Sequence, residues 1–256
     1  MTTQGKYMAI FRDAKHYSKN SSVQANESSY LIDKLNICFK YKKVLDVGCG
    51  DGKVSHSISN MGATVTGVDA SIAMVEFASE RYPNCQFIHQ KAEELQMHNS
   101  KYDIITSFNC LHWITNIEKA LGSIRSRLNA EGTFIGLIYP RCDELWEAAE
   151  WCESLPEYTE RTKSFRNPYN FHTKEKMFGL LSDAGFQNIE IWQEERQAVF
   201  FEVKRFKDYI TGWLPHCSHY GHNLIHDWYP KYAELSLQKG ADKVVMSYKT
   251  IFFIAS

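Results

Sequence analysis

Nine residues, Val44-Leu45-Asp46-Val47-Gly48-Cys49-Gly50-Asp51-Gly52, constrain the fold of this chain more than any other stretch. Three apolar residues and one acid make a short buried strand, and three alternating glycines end it in a sharp turn that feeds a helix. Glycine lets the backbone enter conformations closed to residues with a Cβ, and it lets a ligand touch the main chain. Such a turn is a ligand seat. A dinucleotide is one candidate, but its Gly-x-Gly-x-x-Gly fingerprint asks for glycine where this chain has Lys53. Thr64-Val65-Thr66-Gly67-Val68-Asp69 reads as the second strand, and Asp69 at its tip lies about 20 residues past the turn, the spacing at which an acid meets ribose hydroxyls.

From Lys43 onward strand and helix patterns alternate, which predicts an α/β fold: a Rossmann-like, mostly parallel sheet with helices on both faces. Strands are expected at 43–47, 64–68, 85–89, 102–107, 132–138 and near 187–195, with a seventh at 243–254 returning antiparallel. The helix expected at 71–82 carries one stripe, Met74, Phe77, Ala78 and Arg81, whose apolar members should face the sheet. Asp69-Ala70-Ser71 and Thr115-Asn116 are N-cap signals. A helix is expected at 173–184, ended by Gly185. Before the first strand, residues 1–22 read as a polar arm, and Leu31, Ile32 and Leu35 at helical spacing mark a helix over 23–35. After Pro140, aromatic residues without strand periodicity suggest a helical lid. No repeat or linker interrupts the chain, so one domain, 1–256, is expected: arm and helix 1–38, core 43–140, lid 141–172 and 200–240, and the last strand.

An open parallel sheet binds ligands beyond the carboxyl ends of its strands. That rule names the glycine turn, Asp69, Gln90-Lys91-Ala92-Glu93 and Ser107-Phe108-Asn109-Cys110-Leu111-His112-Trp113. Composition narrows the partners. A net charge of −1 gives no footprint for a nucleic-acid backbone, and the run Lys40-Tyr41-Lys42-Lys43 reads as a solvated loop. No apolar stretch approaches the ~20 residues needed to cross a bilayer, and the N-terminus lacks a signal-like core, so a cytoplasmic protein without membrane contact is expected. Seven cysteines with no Cys-x-x-Cys pair predict reduced thiols.

The glycine turn and Asp69, in this order and spacing, resemble the class I S-adenosylmethionine-dependent methyltransferases. The resemblance implies that Asp46, Gly48, Cys49 and Gly50 form the nucleotide turn, that Asp69 with Ala70 holds the ribose, that Lys91, Ala92 and Glu93 cover the adenine, and that Asn109 faces the cofactor. Lys91 departs from the family, where Asp is frequent, because an ammonium cannot accept the adenine amino hydrogens. Ser107 to Ile114 is similar to the corresponding segment of carboxylate O-methyltransferases, the juvenile hormone acid and trans-aconitate enzymes among them. Tyr17 to Gln24, Ser164 to Tyr169 and Asp183 to Phe186 agree with the former, and Phe206 to Leu214 is closer to the latter.

A carboxylate acceptor suits a chain with no obvious base. Carboxylic acids have pKa values of about 4, so the nucleophile arrives ionised and needs orientation, not deprotonation. The resemblance implies that Gln24, His112 and Trp113 orient it, and their amide, imidazole and indole N–H groups can all donate. Tyr17, Trp151 and Trp213 are the expected substrate contacts. A tricarboxylate would need several pocket cations, for which Arg166 and Arg141 are the nearby candidates; a moderately apolar small-molecule acid fits better. His216, Cys217, His219, His222 and His226 could suggest a metal, but paired cysteines and a His-Glu-x-x-His motif are missing, and a solvated lid face is expected, with no metal.

The expected activity is therefore esterification of a small or medium carboxylic acid by in-line methyl transfer, with no obligate protein partner. Alternatives are a malonyl-acyl-carrier-protein O-methyltransferase, another small-molecule N- or O-methyltransferase with His112 as base, and a non-catalytic S-adenosylmethionine-binding module. An NAD-binding dehydrogenase is a further one.

Overall fold

The structure is a computed structural model that describes residues 13–97, 100–238 and 243–256. Its centre is a seven-stranded sheet in the order β3-β2-β1-β4-β5-β7-β6. The strands are β1 Lys43–Val47, β2 Thr64–Asp69, β3 Gln86–His89, β4 Tyr102–Phe108, β5 Leu128–Ile138, β6 Glu190–Phe200 and β7 Val244–Ala255. β1 to β5 pair in parallel, whereas β7 is antiparallel to both its neighbours, β5 and β6. β7 alone is reversed.

Alternate residues of the inner strands go to opposite layers, and both are apolar. Leu45, Val47 and Ile105 pack with the helices Ile117–Arg127 and Lys174–Asp183 on one face. Val44, Ile104 and Phe108 pack on the other with Leu31, Ile32 and Ile58, from the helices Ser22–Leu35 and Lys53–Asn60. Helix starts follow the polar cap residues: Ser71 accepts from the Met74 amide, Asn116 from Lys119 and Thr173 from Lys176.

A third cluster, built on Trp146, Phe206, Trp228 and Tyr232, forms the layer made by Asp143–Glu153, Val203–Thr211 and Ile225–Leu235. Trp228 and Tyr232, one helical turn apart, stack at 4.9 Å. This layer covers the carboxyl-end side through Trp113, which packs against it.

Some boundaries differ from those expected. Part of the polar arm is a helix, Ala14–Asn20, whose first turn is capped by Asp13 accepting from the His16 amide at 2.8 Å; residues 1–12 of the arm lie outside the described residues. β5 begins at Leu128, not at 132, because Leu128 already pairs with Tyr102 of β4; Asn129-Ala130-Glu131-Gly132 then bulge out of the ladder, which resumes at Thr133 opposite Ile104. β6 starts later and runs on to Phe200, with Gln193, Glu195 and Gln197 exposed along the sheet edge. Among the described residues, no helix is long and apolar enough to cross a membrane.

Candidate active site

Strand order reverses between β1 and β4, and the main cavity opens where their carboxyl ends diverge. Its volume is about 170 Å³. The backbone after each of the first four strands reaches it: Gly48 and Gly50 after β1, Asp69 to Ser71 at the end of β2, Gln90 to Glu93 after β3, and Asn109 and Cys110 after β4.

Two glycines of the turn act differently. A Cβ on Gly48 would stand 2.3 Å from Cys110 Sγ, so this glycine allows two loops to touch. A Cβ on Gly50 would meet nothing nearer than Tyr17 Cε1 at 3.9 Å, so the bare main chain there faces open space. Both have positive φ, +76° and +53°. The Gly50 amide donates to Asp69 Oδ2 at 2.9 Å and the Ser71 amide to Oδ1 at 2.8 Å, which fixes the carboxylate beside the turn. Burial raises the Asp69 pKa, against the lowering effect of these two amides. Asn109 also has positive φ, +59°, unusual for a residue with a side chain, and its Oδ1 is buried without a partner.

Tyr17, Asn109 and Trp113 line both this cavity and a second one, of about 50 Å³, under the lid. The second wall is aromatic. His112 stacks on Tyr169 with ring centroids 4.5 Å apart, Trp113 meets the same ring edge-on at 4.9 Å, and Trp146 lies 4.9 Å from it on another side. Lid segment and loop are tied by the Asn170 amide donating to the His112 carbonyl at 2.8 Å, and Tyr169 donates its hydroxyl to the Tyr139 carbonyl at 3.0 Å.

Buried polar atoms without partners concentrate here: Gln24 Oε1, His112 Nδ1, Tyr139 Oη and Trp213 Nε1 all belong to residues of this cavity. Stranded polar atoms are costly in a protein interior, and these four belong to residues of one concave wall. His112 is buried, and desolvation first, then the His172 ring, brings its pKa down to about 3. It is neutral at physiological pH, able to donate from one nitrogen and accept at the other.

Most of the residues expected from the sequence meet at these two cavities. Gly48, Gly50, Asp69, Ala70, Lys91, Ala92 and Glu93 line the first, Gln24, His112 and Trp213 the second, and Tyr17, Asn109 and Trp113 both. Asp46 stands behind the turn, where its carboxylate accepts from Ser55 Oγ at 2.5 Å and Thr106 Oγ1 at 2.9 Å and burial raises its pKa to about 6. Cys49 is buried against Gly67. A smaller recess beneath the arm, lined by Ser21, Asp51 and Lys53, reaches both Asp46 and Cys49. Trp151 lies outside the second cavity, 38% exposed, with Lys231 Nζ 5.8 Å above its ring. Trp146 occupies the wall instead: five residues are about 140° around a helix, so the two indoles of Asp143–Glu153 point apart.

Neither lid arginine serves the cavity. Arg141 pairs with Asp143 and, through two nitrogens, with Glu150, and Arg166 donates to the carbonyls of Lys163 and Phe165. Lys249 on β7 is the cation that lines the second cavity. The histidine-rich stretch is not one solvated face, because His216 is buried and bonded to Glu153 Oε1 at 2.8 Å. No metal-grade group of His, Cys, Asp and Glu forms among the described residues. Sequence reasoning missed Tyr139, Trp146, Tyr169 and Lys249. Tyr139 directly follows β5, so the strand-end rule applied to a fifth strand would have found it; the others come from the lid and β7 and left no such signal.

Residues 44–132 match a family model described as methyltransferase domain. The juvenile hormone acid O-methyltransferase of Drosophila melanogaster is 27% identical over 224 residues, 79% of this chain and 75% of that protein. A malonyl-[acyl-carrier protein] O-methyltransferase of Acetivibrio thermocellus is 28% identical over 49% of this chain and 46% of its own length. The chain spans less than half the length of two of the first curated relatives it matches. Among solved structures, the YcgJ protein from Bacillus subtilis superposes with a TM-score of 0.62 at 18% identity, covering 90% of this chain and 97% of that one, a likeness of fold.

Proposed function

We propose that this chain, a class I methyltransferase with S-adenosylmethionine as its cofactor, forms the methyl ester of a small or medium carboxylic acid held in the aromatic second cavity. The observation that carries this reading is the pairing of an open glycine turn with an adjoining cavity whose buried polar atoms lack partners and whose histidine is too weak a base to deprotonate an alcohol or amine.

The first cavity fits the cofactor. Gly50 offers main chain with no side chain in the way, Asp69 presents its carboxylate from the β2 tip, and Asn109 Oδ1 awaits a donor. When bound, S-adenosylmethionine supplies a sulfonium methyl group that an aligned nucleophile displaces in line. Tyr17, Asn109 and Trp113 line both cavities, so a nucleophile held beside them in the second lies next to the cofactor's cavity.

The residues of the second cavity orient an anion. Gln24, His112 and Trp113 turn N–H donors toward one carboxylate oxygen, which leaves the other free to attack. With a pKa of about 3, His112 stays neutral at physiological pH and is a weak base, and an acceptor that arrives ionised needs no base. The aromatic wall excludes water around the reacting pair and accepts an apolar acyl body. With Arg141 and Arg166 engaged elsewhere, a monocarboxylic acid suits the cavity better than a tricarboxylate. All seven cysteines carry free thiols, which accords with a reducing, cytoplasmic location.

Radiolabelled methyl transfer to a panel of acids graded in length and polarity tests the proposal. Base-labile, volatile counts from at least one acid are expected. Turnover confined to alcohols, amines or an acyl-carrier-protein thioester would overturn it.

A further inference from the structure

We propose that the acid methylated here carries, besides its carboxylate, a second and uncharged oxygen acceptor, a ketone, ether or hydroxyl oxygen, and that the Trp213 indole N–H reads it. This rests on the second cavity being the acid site.

Trp213 Nε1 is buried and donates to nothing among the described residues. An indole nitrogen can act only as a donor, so an acceptor brought by a ligand is what satisfies it. Trp213 lines the second cavity and is absent from the lining of the first, unlike Trp113, which belongs to both. From His112 the wall runs ring by ring through Tyr169 at 4.5 Å and Trp146 at 4.9 Å to Trp213 at 6.0 Å. Two rings thus intervene between the carboxylate-orienting histidine and this indole, so an acceptor paired with it would belong to the body of the acid and not to its reacting end.

An ionised second group is a poor match for that wall. Trp213 is flanked by Trp146 and Tyr209, with Leu145 and Met246 on the same cavity, and a single N–H cannot compensate a desolvated charge. Lys249, which also lines the cavity, is a solvent-exposed residue. A plain hydrocarbon body would fill the space but leave the indole N–H unpaired.

The test uses the full chain and acids of equal length: a straight-chain acid, the series of its mono-ketones, and the α,ω-dicarboxylic acid. Turnover is followed by methyl transfer, and binding by calorimetry with S-adenosylhomocysteine present. One ketone position is expected to be favoured over the hydrocarbon acid about tenfold or more in kcat/KM. Trp213→Phe should remove that preference by weakening the ketone alone. Benzothienylalanine placed at 213 keeps the ring shape without the N–H and should do the same, which covers a Phe variant that does not fold. No preference for any ketone, a preference that persists without the N–H, or a preference for the dicarboxylic acid overturns the proposal. Transfer to none of the acids overturns the ester-forming reading as well, so the two failures are told apart.

Discussion

The His112 ring lies against Tyr169 at 4.5 Å and 25°, and the imidazole so buried has a pKa of about 3, against an ordinary 6.5. The folded value is below the unfolded one, so the contribution to stability is full above about pH 6.5 and is lost as pH falls toward 3. The interval corresponds to about 5 kcal/mol at most. His112→Gln should lose less stability than the parent between those pH values, as read from urea midpoints. The same burial predicts that kcat/KM shows no acid limb near pH 6.5 from this residue.

Asp46 behaves in the opposite sense. Its folded pKa is raised from 3.8 to about 6, so its contribution is present below the unfolded value and disappears as pH rises through about 6. Asp46→Asn should therefore gain on the parent by up to about 3 kcal/mol between pH 4 and pH 7. Paired denaturation curves at the two pH values measure it; a difference independent of pH would count against a buried, reluctant carboxylate.

Gly48 and Gly50 should separate folding from binding. Gly48→Ala forces a Cβ onto Cys110 and is expected to cost about 3 kcal/mol of stability. Gly50→Ala meets only Tyr17 at van der Waals distance and should cost about 1–2 kcal/mol through its positive φ, yet it should weaken S-adenosylhomocysteine binding by more than Gly48→Ala does in the fraction that folds. Thermal melts and calorimetry on the same samples distinguish the two.

Asp69→Ala removes an acceptor that two main-chain amides already use. Cofactor affinity should fall by about 1–3 kcal/mol. Trp113→Phe should leave that affinity nearly unchanged and lower turnover, because the indole also lines the acid cavity. Equal losses in both quantities would place Trp113 with the cofactor.

Glu27 is buried and accepts from Arg196 Nε through both oxygens, from Tyr248 Oη at 2.9 Å and from Thr250 Oγ1 at 3.3 Å. It lies one helical turn from Gln24. Glu27→Ala strands the partly buried Arg196 and should destabilise the fold by about 3 kcal/mol. Glu27→Gln should restore part of this, measured by urea unfolding.

The sheet was legible because its signals are local. Gly48-Cys49-Gly50 and Asp69 each follow a compact apolar run, and the strand-end rule turned those runs into site residues. The lid had no such rule. Choosing Trp146 over Trp151 needed the buried stripe of one helix, where Leu145, Trp146, Ala149 and Cys152 fall together; aromaticity alone could not decide. Tyr169 comes to the cavity by packing on His112 and Trp113, and Lys249 by the pairing of β7 with β6, contacts between distant segments that no pattern within either one encodes.

Three of the six tryptophans, Trp113, Trp146 and Trp213, face the lid cavity. An acid settling among them alters the polarity around half of the chain's strongest fluorophores at once. The molecule thus contains its own optical gauge: shifts in ultraviolet emission on titration with candidate acids would report occupancy without a label and before any methyl group has moved.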